Sequence, residues 1–199
     1  MSPKTLLEMA GILPVPSRLS DAVVVVIDAQ REYINGALPL PQVGPALDEI
    51  DRLLGRARRV GTPIIHIVHH GKPGSVFAPG TAGATIAPQA APAPGEPVVG
   101  KRLPNAFAST DLGDRVAALK RPAIVIVGFM THMCVEATAR ASIDLGLKAT
   151  VVASATATRD LPDPISGALL TAAEVQRNAL AAMADRFATI VPDVAAIPD

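Results

Sequence analysis

The chain has 199 residues, 49% of them apolar, and its Lys and Arg balance its Asp and Glu to a formal net charge of zero. That is enough chain for one domain with a full core, taken here as 1–199, and it lacks the basic excess that a nucleic-acid binder carries. No apolar stretch approaches the ~18 residues that cross a bilayer.

At the N-terminus, Glu8, Pro14 and Pro16 interrupt the apolar run, so it does not read as a signal peptide. The single cysteine offers no internal disulfide. A cytoplasmic protein with neither nucleic-acid nor membrane partners is therefore expected. "AVVVVID" (22–28) is a continuous β-branched run, the pattern of a strand buried on both faces. "GPALDEIDRLLGRARRVG" (44–61) places Leu47, Ile50, Leu53, Leu54 and Ala57 at helical spacing, with Gly61 as its stop. "PIIHIVHH" (63–70) is the second strand. Residues 71–96 are rich in Gly, Pro and Ala, without periodicity, and too long for an ordinary connection. They are expected to form a lid, with Phe77 and Ile86 to dock it. "EPVVGK" (96–101) allows a short strand and "STDLGDRVAALK" (109–120) a short helix. "AIVIVGF" (123–129) is a strand, "THMCVEATARASIDLG" (131–146) a helix, "KATVVAS" (148–154) a strand, "TAAEVQRNALAAMADRF" (171–187) a helix and "ATIVPDV" (188–194) a last strand. Alternating strands and helices imply an α/β fold, a parallel sheet covered by helices on both faces.

Ligands of such sheets bind outside the carboxyl ends of the strands. There the order delivers Asp28 from the first strand, His69 and His70 from the second, Lys101 from the third and Cys134 just past the fourth. An acid, an amine and a thiol converging from separate strands form the nucleophile-plus-base arrangement of covalent catalysis. With Thr131 as N-cap, Cys134 falls at the third helical position, where the helix field and a nearby Lys101 would lower its pKa. Taken singly, each residue has a plainer explanation. A lone cysteine in an Ala-rich helix is usually a small buried hydrophobe, a strand-end Asp is often a turn residue, and an isolated Lys carries no information.

Three segments turn the combination into a resemblance: "VVVVIDAQREYI" with Asp28, "PVVGKRLPNAFASTDL" with Lys101, and "VIVGFMTHMCVEATARAS" with Cys134. In order and spacing they resemble the isochorismatase-like cysteine hydrolase superfamily, which includes nicotinamidases and N-carbamoylsarcosine amidase, over about residues 20 to 192. The resemblance implies a three-layer α/β/α sandwich, a Rossmann-like six-stranded parallel sheet in the order 3-2-1-4-5-6. It also implies an Asp28–Lys101–Cys134 triad, a cis peptide bond between Phe129 and Met130, and an oxyanion hole made by the amides of Met130 and Cys134. True isochorismatases cleave a vinyl ether and typically lack the cysteine, so its presence favours a C–N bond and a thioester. Vinyl-ether hydrolysis, or a thiol redox sensor on the same fold, is the alternative.

The Asp-x-His motif by which nicotinamidases hold a metal is missing. His69 and His70 are adjacent on a strand and point oppositely, and His66 fits a hydrogen-bonded core position, so no metal or other cofactor is expected. The chain has only one Tyr and four Phe. Tyr33, Phe107 and Phe129 fall near the strand ends and Phe77 in the expected lid, and the four are expected, with His132, to line a small substrate pocket. Phe187 reads as core. Arg31, Arg102 and Arg159 leave room for a carboxylate-bearing substrate. The partners expected are a small-molecule substrate and further copies of the chain, in a dimer or tetramer.

Overall fold

The computed structural model describes residues 2–199. Its elements in chain order are α1 (Leu6–Met9), β1 (Ala22–Ile27), α2 (Glu32–Asn35), α3 (Val43–Val60), β2 (Ile64–His69), β3 (Val98–Lys101), α4 (Leu112–Ala118) and β4 (Ala123–Phe129). They continue with α5 (Glu136–Asp144), β5 (Lys148–Ala157), β6 (Leu161–Pro162), β7 (Leu169–Leu170), α6 (Ala172–Arg186) and β8 (Thr189–Val191).

Six strands form one parallel sheet in the order β3-β2-β1-β4-β5-β8. This is the expected order, with β8 as sixth strand because the antiparallel pair β6 and β7 intervenes in sequence. That pair and the single-turn helices α1 and α2 leave no sign in the sequence. Strands of two residues and helices of four leave too little periodicity to detect.

The β-branched run of β1 has a direct cause. Val24 and Val26 face one apolar layer, against Ala46, Leu47, Ile50, Leu53, Leu54 and Ala57 of α3. Val23, Val25 and Ile27 face the other, with Leu112 and Val116 of α4, Ala139 of α5 and Met183 of α6. Both faces are covered, so every position of β1 is buried, and each such side chain contributes roughly 1.5–3 kcal/mol of burial. β1 pairs with β2 on one side and β4 on the other. The chain thus winds outward from β1 in one direction through β3, then returns to β4 and winds the other way. Crevices at such reversals are where ligands bind, and the carboxyl ends of β1 and β4 flank this one.

Gly128 lets β4 lie this close to β1. Its φ is 112°, and a Cβ there would sit 1.9 Å from the Ile27 carbonyl oxygen. Only glycine fits.

The segment 71–96 is ordered against the chain that follows β1. Arg31 N–H donates to Thr85 O (2.9 Å), Glu32 N–H to Gly83 O (2.9 Å) and Ala87 N–H to Ala29 O (2.8 Å). The Glu32 carboxylate occupies the space where a Cβ on Gly36 or Gly83 would be. The far end of the segment is anchored by Glu96, which accepts from Arg58 Nε (2.8 Å), Arg58 Nη2 (2.9 Å) and Ala93 N–H (2.8 Å). It also pairs with His66 Nε2 (2.9 Å), so His66 is the hydrogen-bonded core histidine expected.

Burial pushes the Glu96 carboxyl up, but these hydrogen bonds outweigh it and bring it down to about 2. Burial lowers the His66 pKa, against the pull of Glu96. In both groups the folded pKa lies below the unfolded one, so the unfolded chain takes up protons first as pH falls. Stability from Glu96 is therefore complete above its ordinary value of 4.5 and lost toward 2; for His66 the loss begins near 6.5. We expect the melting temperature of the native protein to fall more steeply below pH 4.5 than that of Glu96→Gln. Parallel profiles would show that the carboxylate does not stabilise the fold.

Candidate active site

Asp28 leaves β1 in a left-handed conformation, φ 47°, which Asp tolerates better than most residues. Its N–H donates to Ile67 O (3.0 Å) and its carbonyl accepts from Gln30 N–H (2.7 Å), which turns the side chain into the crevice. Lys101 ends β3, paired with His69 of β2. The Lys101 and Asp28 side chains are fully buried, and Lys101 Nζ lies 2.6 Å from Asp28 Oδ2. The same ammonium donates to Cys134 Sγ at 3.2 Å. The three residues that the resemblance grouped thus lie together in space.

Cys134 is 6% exposed and arrives by a route that sequence analysis misjudged. The peptide bond between Phe129 and Met130 is cis, as expected. Residues Thr131–Val135 then form a π-helical turn before α5 begins at Glu136. Val135 N–H reaches back to Met130 O (3.2 Å), and Met130 is the N-cap residue. Thr131 is not: its Oγ1 is buried without a partner. Wide turns of this kind occur frequently at functional sites. Thr138 fixes the turn from α5, donating to Cys134 O (2.7 Å) and accepting from Ala106 N–H (3.0 Å), five residues past Lys101.

The electrostatics correct a second expectation. Burial raises the Cys134 thiol, the Asp28 charge raises it further, and Lys101 offsets only part, so it stands at about 12 rather than below its ordinary value. Burial also raises the Asp28 carboxyl, with the charge of Lys101 pulling the other way. The thiol therefore rests protonated beside a carboxylate made more basic by burial. Transfer of that proton leaves a thiolate with Lys101 as its counter-charge.

Among the expected pocket residues, Tyr33, Phe77 and Phe129 do come together. Their rings lie 5.1 Å (Tyr33–Phe77) and 5.7 Å (Tyr33–Phe129) apart, and all three are buried. Phe107 stands apart, packed half-buried against the apolar layer on the side of α4, α5 and α6 that also holds Cys134. His132 is two residues before the thiol, and its Nδ1 contacts Thr158 Oγ1 just beyond β5. Phe187 is only partly buried, beneath the Arg140 guanidinium at 4.1 Å.

One residue, Gln30, went unrecognised in sequence, and Arg159, named there for a carboxylate-bearing substrate, does lie near the site. Gln30 is fully buried and its amide clamps His69 at both backbone groups, accepting from its N–H (2.8 Å) and donating to its carbonyl (3.1 Å), while also donating to Ala84 O (2.8 Å). Arg159 presents a buried Nε without a partner and adds positive charge near His132 and Tyr33. A polar residue two places past the strand-end Asp was the available signal for Gln30.

Residues 22–192 match the family model described as the isochorismatase domain. The chain is similar to a secreted isochorismatase effector of Verticillium dahliae, 36% identical over 92% of this chain and 94% of that one. It is also similar to a streptothricin hydrolase of Streptomyces noursei, 36% identical over 88% of this chain and 63% of that relative. The crystal structure of an isochorismatase from Pseudomonas putida KT2440 superposes with a TM-score of 0.91 at 38% identity, covering 96% of this chain and 97% of that one. Among the described residues, no helix is long and apolar enough to cross a membrane.

Proposed function

The chain is a hydrolase of the isochorismatase family, and we propose that it cleaves a small amide-type C–N bond through a thioester on Cys134. The observation that carries this reading is the buried ammonium of Lys101 held 2.6 Å from Asp28 and 3.2 Å from Cys134. That arrangement gives a thiol both a proton acceptor and a counter-charge.

In this mechanism Asp28 takes the Cys134 proton as sulfur bonds to the carbonyl carbon. The carbonyl electron pair moves onto oxygen, facing the Met130 and Cys134 amides. When it returns, the C–N bond breaks and Asp28 passes its proton to the leaving nitrogen, so ammonia or an amine departs. A water then gives a proton to Asp28 and adds to the thioester. Collapse releases the acid and the thiolate, which recovers its proton from Asp28. Tyr33, Phe77 and Phe129 supply an apolar wall, and 71–96 acts as the lid that carries Phe77.

A redox-sensor role suits this thiol poorly. Sensor cysteines are accessible and acidic, whereas Cys134 is buried with its pKa raised to about 12.

The test is ammonia release across a panel of small primary amides and ureides, with mass spectrometry of the intact protein during turnover. An acyl adduct on Cys134 is expected. Undiminished product formation after Cys134 has been alkylated would exclude the thioester route.

A further inference from the structure

We propose that His69 is a positioning residue for the reaction: its imidazole is the third acceptor of the Lys101 ammonium and holds that ammonium against the nucleophile. An ammonium has three N–H donors and no lone pair. Lys101 is 1% exposed, so none of the three can be left to bulk water without cost. Three acceptors surround it: Asp28 Oδ2 at 2.6 Å, Cys134 Sγ at 3.2 Å and His69 Nδ1 at 3.4 Å. The third contact is long, but it is the one that fixes how the other two share the ammonium.

The imidazole is well placed for this. Facing a cation that can only donate, Nδ1 must carry the lone pair, which puts the ring proton on Nε2. Burial, the Lys101 charge and His70 all lower the His69 pKa, so the ring remains a neutral acceptor. Its position is fixed from two sides. Gln30 grips the His69 backbone at N–H and C=O, and Phe77 stands edge-on to the ring at 5.6 Å. His70, the next residue along, has its ring over Gly100, where a Cβ would come within 2.7 Å of it. Only one of the two adjacent histidines serves the ammonium.

Without the imidazole, one Lys101 proton is left buried and unpaired. The ammonium then moves toward solvent or wholly onto Asp28, and the contact that stabilises a thiolate weakens. The catalytic consequence rests on Cys134 being the nucleophile, but the positioning itself can be read without any substrate.

Cys134 is the only cysteine in the chain, so iodoacetamide consumption by the full-length protein reports on one sulfur. At fixed neutral pH, His69→Leu is expected to slow alkylation about tenfold, the change in thiolate fraction that one unit of thiol pKa produces. His69→Asn, which can offer Oδ1 near the place of Nδ1, should stay within about twofold of the native rate. On an active substrate, His69→Leu should lower kcat with KM unchanged. A His69→Leu rate equal to the native one overturns the proposal. So does equal slowing in both variants, since that would make bulk rather than the lone pair responsible. Failure to find an amide substrate would bear on the proposed reaction and leave the alkylation result standing.

Discussion

Replacing Cys134 with alanine is expected to reduce turnover by at least about 10⁴-fold, as removal of a covalent nucleophile does in comparable catalytic sets, while leaving the fold intact. Its side chain is packed beside Val135 and Ala139, and alanine occupies the same site with one atom fewer. The backbone that shapes the turn is held by groups the substitution spares: Thr138 still bonds to the carbonyl of residue 134, and the π turn closes through Met130 O and Val135 N–H. Lys101 loses one acceptor but keeps its ion pair with Asp28. Circular dichroism should therefore match the native protein closely, with thermal stability lowered only by the one acceptor that the buried Lys101 ammonium loses. A variant that retains about a tenth of the native rate, well above what a missing nucleophile allows, would show that sulfur does not form the bond.

The second large effect is expected at Asp28. Asp28→Asn should lower turnover by about 10²–10⁴-fold, the usual contribution of a general base. It should also make the thiol more reactive toward iodoacetamide. After burial, the Asp28 charge is the next-largest influence raising the Cys134 pKa. An amide removes that charge while Lys101 remains beside the sulfur. Reactivity and turnover then move in opposite directions, which separates loss of the base from simple damage to the site. Stability should fall as well, by about 3–5 kcal/mol, because removing one partner leaves a buried charge uncompensated, and Lys101 is 1% exposed. A near-native rate would reduce Asp28 to a counter-ion for Lys101. Slower alkylation would mean that the carboxylate, rather than the ammonium, sustains the thiolate.

The sequence by itself determined the frame. Strands buried on both faces announce themselves at every position, as in the run from Ala22 to Ile27, and α3 shows its apolar face at helical spacing with Gly61 as its left-handed stop. These are local periodicities of the backbone, and they place Asp28, Lys101 and Cys134 at strand ends before any packing is known. The family motifs added the sheet order and grouped Asp28, Lys101 and Cys134 as one candidate site.

What the tertiary structure decided are properties that no window of sequence contains. The thiol pKa went up rather than down because burial and the position of Asp28, more than a hundred residues away in the chain, outweigh the Lys101 ammonium. The turn carrying Cys134 became a π turn, with Thr131 uncapped, because it must leave β4 beside β1 and still bond through Thr138 to the segment after Lys101. Of the four aromatics expected at one pocket, three met and Phe107 packed in another layer, since closeness to a strand end does not fix the face on which a side chain falls. Which of two adjacent histidines reaches the buried ammonium depends on the pleat of β2 against β3 and on the grip of Gln30, and only the assembled sheet sets both.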